Sequence, residues 1–257
     1  MEDAATSNTS NNRKPEHGDQ LRPEILEAKG RWAAVVSHLI AQRFSRFVFG
    51  IYFRCYTRGR SNLPATGGVI IAPTHRSNLD TPMLGASAGR PLRYFAKSGL
   101  FRGPVTTWLL VAMGAFPVRR DKIDRSALKA ALAVLEAGQP LVMFPEGERK
   151  SGTRIFPLLD GVIWLSAKAQ VPVVPVAIGG TERAMGIGVR IPRPRKVRFV
   201  WGQPIPPPAL SENGRLGKAD LAKHSQELRD TLQTMFNQIQ HELGLAVWIP
   251  SADGEPN

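Results

Sequence analysis

The stretch GGVIIAPTHRSNLDTPMLGASA, residues 67–88, decides the fold. Val69 to Ala72 is a short, continuously apolar run entered from a glycine pair and left through a proline, the mark of a strand covered on both faces. The polar string Thr74 to Asp80 follows it directly, and Leu79 to Ala88 reads as a short helix. A buried strand, a polar turn and a helix together make the first half of a parallel β-α-β unit.

Working outward, the same alternation recurs. Residues 92–97 (LRYFAK), 114–118 (GAFPV), 140–147 (PLVMFPEG), 171–180 (VPVVPVAIGG) and 196–202 (KVRFVWG) read as strands. Helical patterns fall at 103–113, at 126–138 with Gly138 as the stop, and at 160–170. The spacing predicts an α/β domain over 61–202, a largely parallel mixed sheet flanked by helices. Proline is poor in a central strand, so Pro172 and Pro175 point to an edge, a bulge or a cleft wall. A Pro- and Gly-rich connection from 203 leads into a C-terminal amphipathic helix, marked by Leu221, Leu228, Leu232 and Ile239, within 203–257.

Residues 1–20 are polar, carry no apolar stretch that would read as a signal peptide, and are expected to be a disordered tail. Within 21–60, the pattern predicts a helix or helix pair, with Ile40, Phe44, Val48, Ile51 and Cys55 on one stripe and Arg43, Arg46, Arg54 and Arg58 beside it. An apolar stripe next to a purely basic one suits the headgroup boundary of an anionic membrane. The arginines interrupt the segment too often for a transmembrane helix to be predicted.

The 257 residues carry 34 Lys and Arg against 21 Asp and Glu, a net charge of +13, so the partners are expected to be anionic. Between Glu27 and Asp121 the only acid is Asp80, and a second acid-free run, Arg183 to Arg198, follows Glu182. No nucleic-acid reading motif or stacking platform is visible, and nucleic acid is not an expected partner. A single cysteine, Cys55, excludes an intramolecular disulfide, and His38, His224 and His241 lack metal-ligand spacing. No metal or other cofactor is expected.

Ligands of α/β sheets bind beyond the carboxyl ends of the strands, which is where His75 stands. If the turn folds Asp80 back onto His75, the carboxylate fixes the tautomer and leaves the other ring nitrogen free to take a proton. The plainer alternative is that Asp80 caps the helix that it begins. The string FPEGERKSG, 144–152, again follows an apolar strand. Gly147 would let backbone approach a ligand, and Arg149 and Lys150 offer phosphate donors. Glu146 could instead pair with a neighbouring arginine and do nothing else.

In order and spacing, THRSNLD (74–80), Gly114 to Arg120, Phe144 to Arg149 and Val171 to Val176 resemble the four blocks of the glycerolipid acyltransferases, the family typified by lysophosphatidate (1-acyl-sn-glycerol-3-phosphate) acyltransferase. The resemblance implies His75 as the base that deprotonates a substrate hydroxyl and Asp80 as its orienting partner. It implies that Arg120, Glu146, Gly147 and Arg149 hold the glycerol phosphate of the acceptor, and that Pro172 and Pro175 line the acyl end. Where the family often has Lys-x-Glu-Leu, this chain has Lys97-Ser98-Gly99-Leu100, keeping Lys97 as a phosphate candidate and losing the acid.

The implied reaction moves a fatty acyl chain from acyl-CoA or acyl carrier protein to the free hydroxyl of 1-acyl-sn-glycerol-3-phosphate, giving phosphatidic acid. Glycerol-3-phosphate, another lysophospholipid or a glycolipid is the alternative acceptor. The expected location is the cytoplasmic face of the cell membrane, held peripherally or monotopically. Two rivals remain in the sequence. Gly85 to Gly89 spells G-x-S-x-G, the serine-hydrolase nucleophile elbow, which requires a strand immediately before it. The basic stretches alone would also suit a non-enzymatic membrane-binding protein.

Overall fold

The computed structural model describes residues 47–97, 114–118 and 125–249, together with the single positions 43, 99, 103 and 107. The predicted tail, most of the predicted N-terminal helix, the helix predicted at 103–113 except Gly103 and Thr107, and Arg120 lie outside the described residues.

Among the described residues seven strands form one sheet: β1 (Tyr56–Arg58), β2 (Val69–Pro73), β3 (Arg93–Lys97), β4 (Ala115–Val118), β5 (Pro140–Val142), β6 (Val173–Gly179) and β7 (Arg198–Trp201), in the order β1-β7-β6-β2-β5-β3-β4. From β6 to β4 every neighbour runs parallel; β7 is antiparallel to β6, and β1 is parallel to β7. This is the expected mixed, largely parallel sheet. The helices are α1 (Asp80–Ser87), α2 (Arg125–Glu136), α3 (Gly161–Ala169), α4 (Thr181–Met185) and α5 (Lys218–Glu242).

Alternation along the central strands divides the core into two layers. Val69 and Ile71 of β2 point to one face, where they join Met83 and Leu84 of α1 and Phe199 and Trp201 of β7. Ile70 and Ala72 point to the other, against Leu135 of α2, Leu165 of α3 and Leu228, Leu232 and Phe236 of α5. Every residue of β2 is buried, which is why its sequence runs apolar without interruption. Each fully buried Ile or Leu contributes about 1.5–3 kcal/mol.

One local expectation is corrected, and among the three alternatives for the prolines of 171–176 the edge is excluded and a bulge is found. The helical pattern assigned to 21–60 stops early: residues 47–52 are helical, Arg54 turns through a left-handed φ of 44°, and Tyr56–Arg58 pairs with β7. Three residues carry too little pattern to show a strand whose partner lies about 140 positions away. β6, with its Pro175, is not an edge strand, since it sits between β2 and β7. Instead β7 bulges beside it: Val176 pairs with Trp201 and Val173 with Ile205, so one extra residue lies between the pairs. There the Pro175 carbonyl accepts the Gly202 amide at 2.8 Å.

Candidate active site

Because β2, β5, β6, β3 and β4 are parallel, their carboxyl ends share one edge of the sheet, and the loops leaving β2 and β5 meet there. The Lys150 amide donates to the His75 carbonyl at 2.9 Å, binding the second loop to the first. Thr74 ties the first loop to β6, its hydroxyl accepting the Ile178 amide at 2.9 Å.

Asp80 opens α1, yet its carboxylate turns back onto the loop. Oδ2 accepts the amides of Arg76 and Ser77, each at 2.7 Å, and meets His75 Nδ1 at 2.9 Å. No side-chain bond caps the helix, so the capping alternative fails. An ionised carboxylate only accepts, which places the hydrogen on Nδ1; in the neutral imidazole Nε2 then keeps its lone pair. The imidazole stacks on Phe144, ring centroids 3.9 Å apart and 24° from parallel, and is still partly open to solvent. Among the described residues Nε2 has no partner, so the pair presents a proton acceptor held in one orientation.

Glu146 is also buried, but it is fully engaged. Its Oε2 accepts Arg76 Nη1 at 2.7 Å, and its Oε1 accepts the Phe156 amide at 3.3 Å. Arg76 in turn donates to the carbonyls of His75 and Arg154, each at 3.0 Å, and lies over the Phe236 ring of α5. The pair joins both loops to the C-terminal helix, and the ion pair itself is the one the plainer reading of Glu146 named. Gly147 takes a left-handed φ of 74°, and a Cβ there would come within 2.7 Å of Leu159. Arg149 is half-buried, with no hydrogen bond or ion pair among the described residues. The backbone of Lys97 ends β3 on the same edge as His75. Pro172 stands before the first residue of β6, at the opposite edge, so the fold does not bring it to the imidazole.

Sequence reasoning passed over Arg76, one arginine among many, although its place between His75 and Ser77 was a usable signal. It also passed over Glu182 of α4. Burial is the largest influence on that carboxyl and pushes it above the usual carboxylate range; backbone hydrogen bonds at residues 182 and 180 oppose the rise, and the charge of Asp80 adds to it.

The nucleophile-elbow reading is overturned. Ser87 is the last residue of α1, preceded by helix where the elbow needs a strand, and its hydroxyl donates to the Leu84 carbonyl at 2.9 Å. Ser77, the other hydroxyl near His75, is also committed: it donates to the Met185 carbonyl at 2.5 Å and accepts the Leu79 amide.

The model of the acyltransferase family matches residues 54–179, a span that holds both loops and the His75–Asp80 pair. The chain is 30% identical over 147 residues to the 1-acyl-sn-glycerol-3-phosphate acyltransferase of Bacillus subtilis (strain 168), covering 57% of this chain and 71% of that one. The chain belongs to the acyltransferase family. It is 29% identical over 161 residues to a chloroplastic 1-acyl-sn-glycerol-3-phosphate acyltransferase of Brassica napus, covering 62% of this chain and 46% of that one. The chain thus spans about half the length of that plant relative. The acyltransferase fold recurs in the crystal structure of the 1-acyl-sn-glycerophosphate (LPA) acyltransferase from Thermotoga maritima, with a TM-score of 0.69 and 22% identity across 88% of this chain and 87% of that one.

Proposed function

We propose that this chain transfers a fatty acyl group from acyl-CoA or acyl carrier protein to the free hydroxyl of 1-acyl-sn-glycerol-3-phosphate, giving phosphatidic acid. The carrying observation is the imidazole of His75, fixed by Asp80 through Nδ1 and, among the described residues, unpartnered at Nε2 on the carboxyl edge of the sheet. Nε2 takes the hydroxyl proton as the oxygen attacks the thioester carbonyl. The C–O bond forms, the C–S bond breaks, and the leaving thiolate recovers the proton from the imidazolium. A base so placed contributes about 10²- to 10⁴-fold. Ser77 has both its donor and an acceptor position occupied, which favours direct transfer over an acyl-enzyme. The transfer is assigned no metal or prosthetic group.

Arg149 is assigned to the acceptor phosphate, because it is the arginine of this loop whose guanidinium has no partner among the described residues. The same proposal seats the protein peripherally on the cytoplasmic face of the cell membrane. Phe47 and Ile51, on the helical residues 47–52, are 67% and 65% exposed, which supports that placement. No helix among the described residues is long and apolar enough to cross a membrane.

The test is thiol release from palmitoyl-CoA in detergent micelles, with and without lysophosphatidate. The expected result is acceptor-dependent release that falls at least about 10²-fold in His75→Ala. In the same assay Arg149→Gln should raise the KM for the acceptor about tenfold and leave that for the thioester unchanged. Release that ignores the acceptor, or that survives in His75→Ala, overturns the assignment; glycerol-3-phosphate as the better acceptor replaces the acceptor named here.

A further inference from the structure

The loop between α4 and β7, GIGVRIPRPRK at residues 186–196, is no part of the catalytic proposal. Ile187, Val189 and Ile191 are 52%, 42% and 78% exposed, while Arg190, Arg193, Arg195 and Lys196 are exposed cations. None of the four makes an ion pair among the described residues, and no acid occurs between Glu182 and Glu212. Single exposed apolar residues are ordinary. Three at alternate positions, with Arg190 among them and three further unpaired cations directly after, expose apolar surface where neither a core nor a salt-bridged face uses it.

The loop is pinned, not loose. Val189 closes a turn onto the Gly186 carbonyl at 3.1 Å, the Arg193 amide donates to the Ala184 carbonyl at 2.8 Å, and Pro192 and Pro194 stiffen what lies between. Its shape is therefore set before it meets a partner, which lowers the ordering cost of docking. It also adjoins the helical residues 47–52: the Tyr52 hydroxyl donates to the Pro192 carbonyl at 3.0 Å, and the Val197 amide to the Phe53 carbonyl at 3.1 Å. At its other end, α4 is bound to the loop of the catalytic pair through Ser77 and the Met185 carbonyl.

We propose that residues 186–196 are a second membrane-docking element, continuous with residues 47–52, which inserts Ile187, Val189 and Ile191 among the lipids and sets its four cations on anionic headgroups. A bilayer is the occupant because it satisfies both the apolar residues of 187–191 and the cations of 190–196 on one exposed loop. A nucleic acid would leave the isoleucines in water, and the loop offers no aromatic ring for stacking. The exposed side of α5 is the internal contrast: Lys218, Asp220, Lys223, Glu227 and Asp230 mix both signs there, as an ordinary solvated face does. Docking through the loop holds the His75 edge of the sheet to the membrane plane, where a lysolipid acceptor resides.

The inference rests on the peripheral-membrane reading above, and the test separates the two. The full chain is floated with phosphatidylcholine vesicles and with phosphatidylcholine–phosphatidylglycerol vesicles. The variants are Ile187→Ser/Val189→Ser/Ile191→Ser, Arg190→Gln/Arg193→Gln/Arg195→Gln/Lys196→Gln and Phe47→Ser/Ile51→Ser, each checked for an unchanged Tm. The expected result is that the apolar loop variant loses about tenfold in partitioning to both vesicles, and the charge variant a similar factor on anionic vesicles alone. If the Phe47→Ser/Ile51→Ser chain loses binding while both loop variants bind as wild type, the loop is not a docking element although the membrane reading stands. Wild type that floats with neither vesicle overturns both, and preference for a duplex oligonucleotide over anionic vesicles overturns the choice of occupant.

Discussion

Asp80 and Glu146 are two buried carboxylates at the ends of neighbouring parallel strands, and both receive backbone amides of the segment 75–77. Their partners differ. Asp80 holds an imidazole whose far nitrogen stays open, whereas Glu146 holds a guanidinium closed in by two carbonyls and the Phe236 ring. At nearly equal depth, one carboxylate orients a partner with a free nitrogen, which the proposed transfer uses, and the other is locked against its partner. What divides chemistry from architecture here is whether the group that the carboxylate holds has an unused valence facing the cleft.

Asp80→Asn is the sharpest way to break the comparison. The amide still accepts from backbone, but it no longer favours hydrogen on Nδ1 or the imidazolium that forms during transfer. Activity should fall about 10³-fold, ~4 kcal/mol in the barrier, at unchanged KM and with the pH profile altered. An Asn chain with near-normal kcat would make Asp80 only a loop brace. Glu146→Ala should act on stability first, because it leaves the Arg76 guanidinium buried and unpaired at a cost of about 3 kcal/mol. Denaturant midpoints measure this, and Arg76→Met/Glu146→Leu should recover part of the loss. If Glu146→Ala is fully stable and instead raises the acceptor KM, Glu146 faces the substrate and the contrast collapses.

The sheet was legible because β2 and β5 are buried on both faces and so write their burial as continuous apolar letters. The His75–Asp80 pair was legible too, since a turn between strand and helix brings positions five apart together. Glu146 was recognised as special, but nothing in a linear sequence could choose between substrate and Arg76, which lies 70 residues away. Arg76 was hidden by its surroundings, one more arginine in a basic stretch, and only its complete burial sets it apart. β1 and α4, at three and five residues, are shorter than any period that would announce them.

Glu182 supplies a third carboxylate that sharpens the comparison at smaller amplitude. Its Oε1 lies 3.5 Å from the Gln240 amide nitrogen, and among the described residues its buried Oε2 has no hydrogen-bond partner. Asp80 is paired with an imidazole and Glu146 with a guanidinium; Glu182 has only amide donors, at residues 180 and 182 and on Gln240, and its carboxyl is pushed up, chiefly by burial. A carboxyl whose folded pKa lies above its unfolded one binds more protons in the folded state across the interval between them. Stability must then fall as pH rises through that interval and stay lowered above it. Glutamine has no such titration, so Glu182→Gln should gain on wild type as pH rises from the ordinary carboxylate range and hold a constant lead beyond the raised pKa. Thermal midpoints across that range measure the difference. A variant that loses stability as pH rises would mean that the ionised carboxylate is held by a cation, placing Glu182 with Glu146 among the braces.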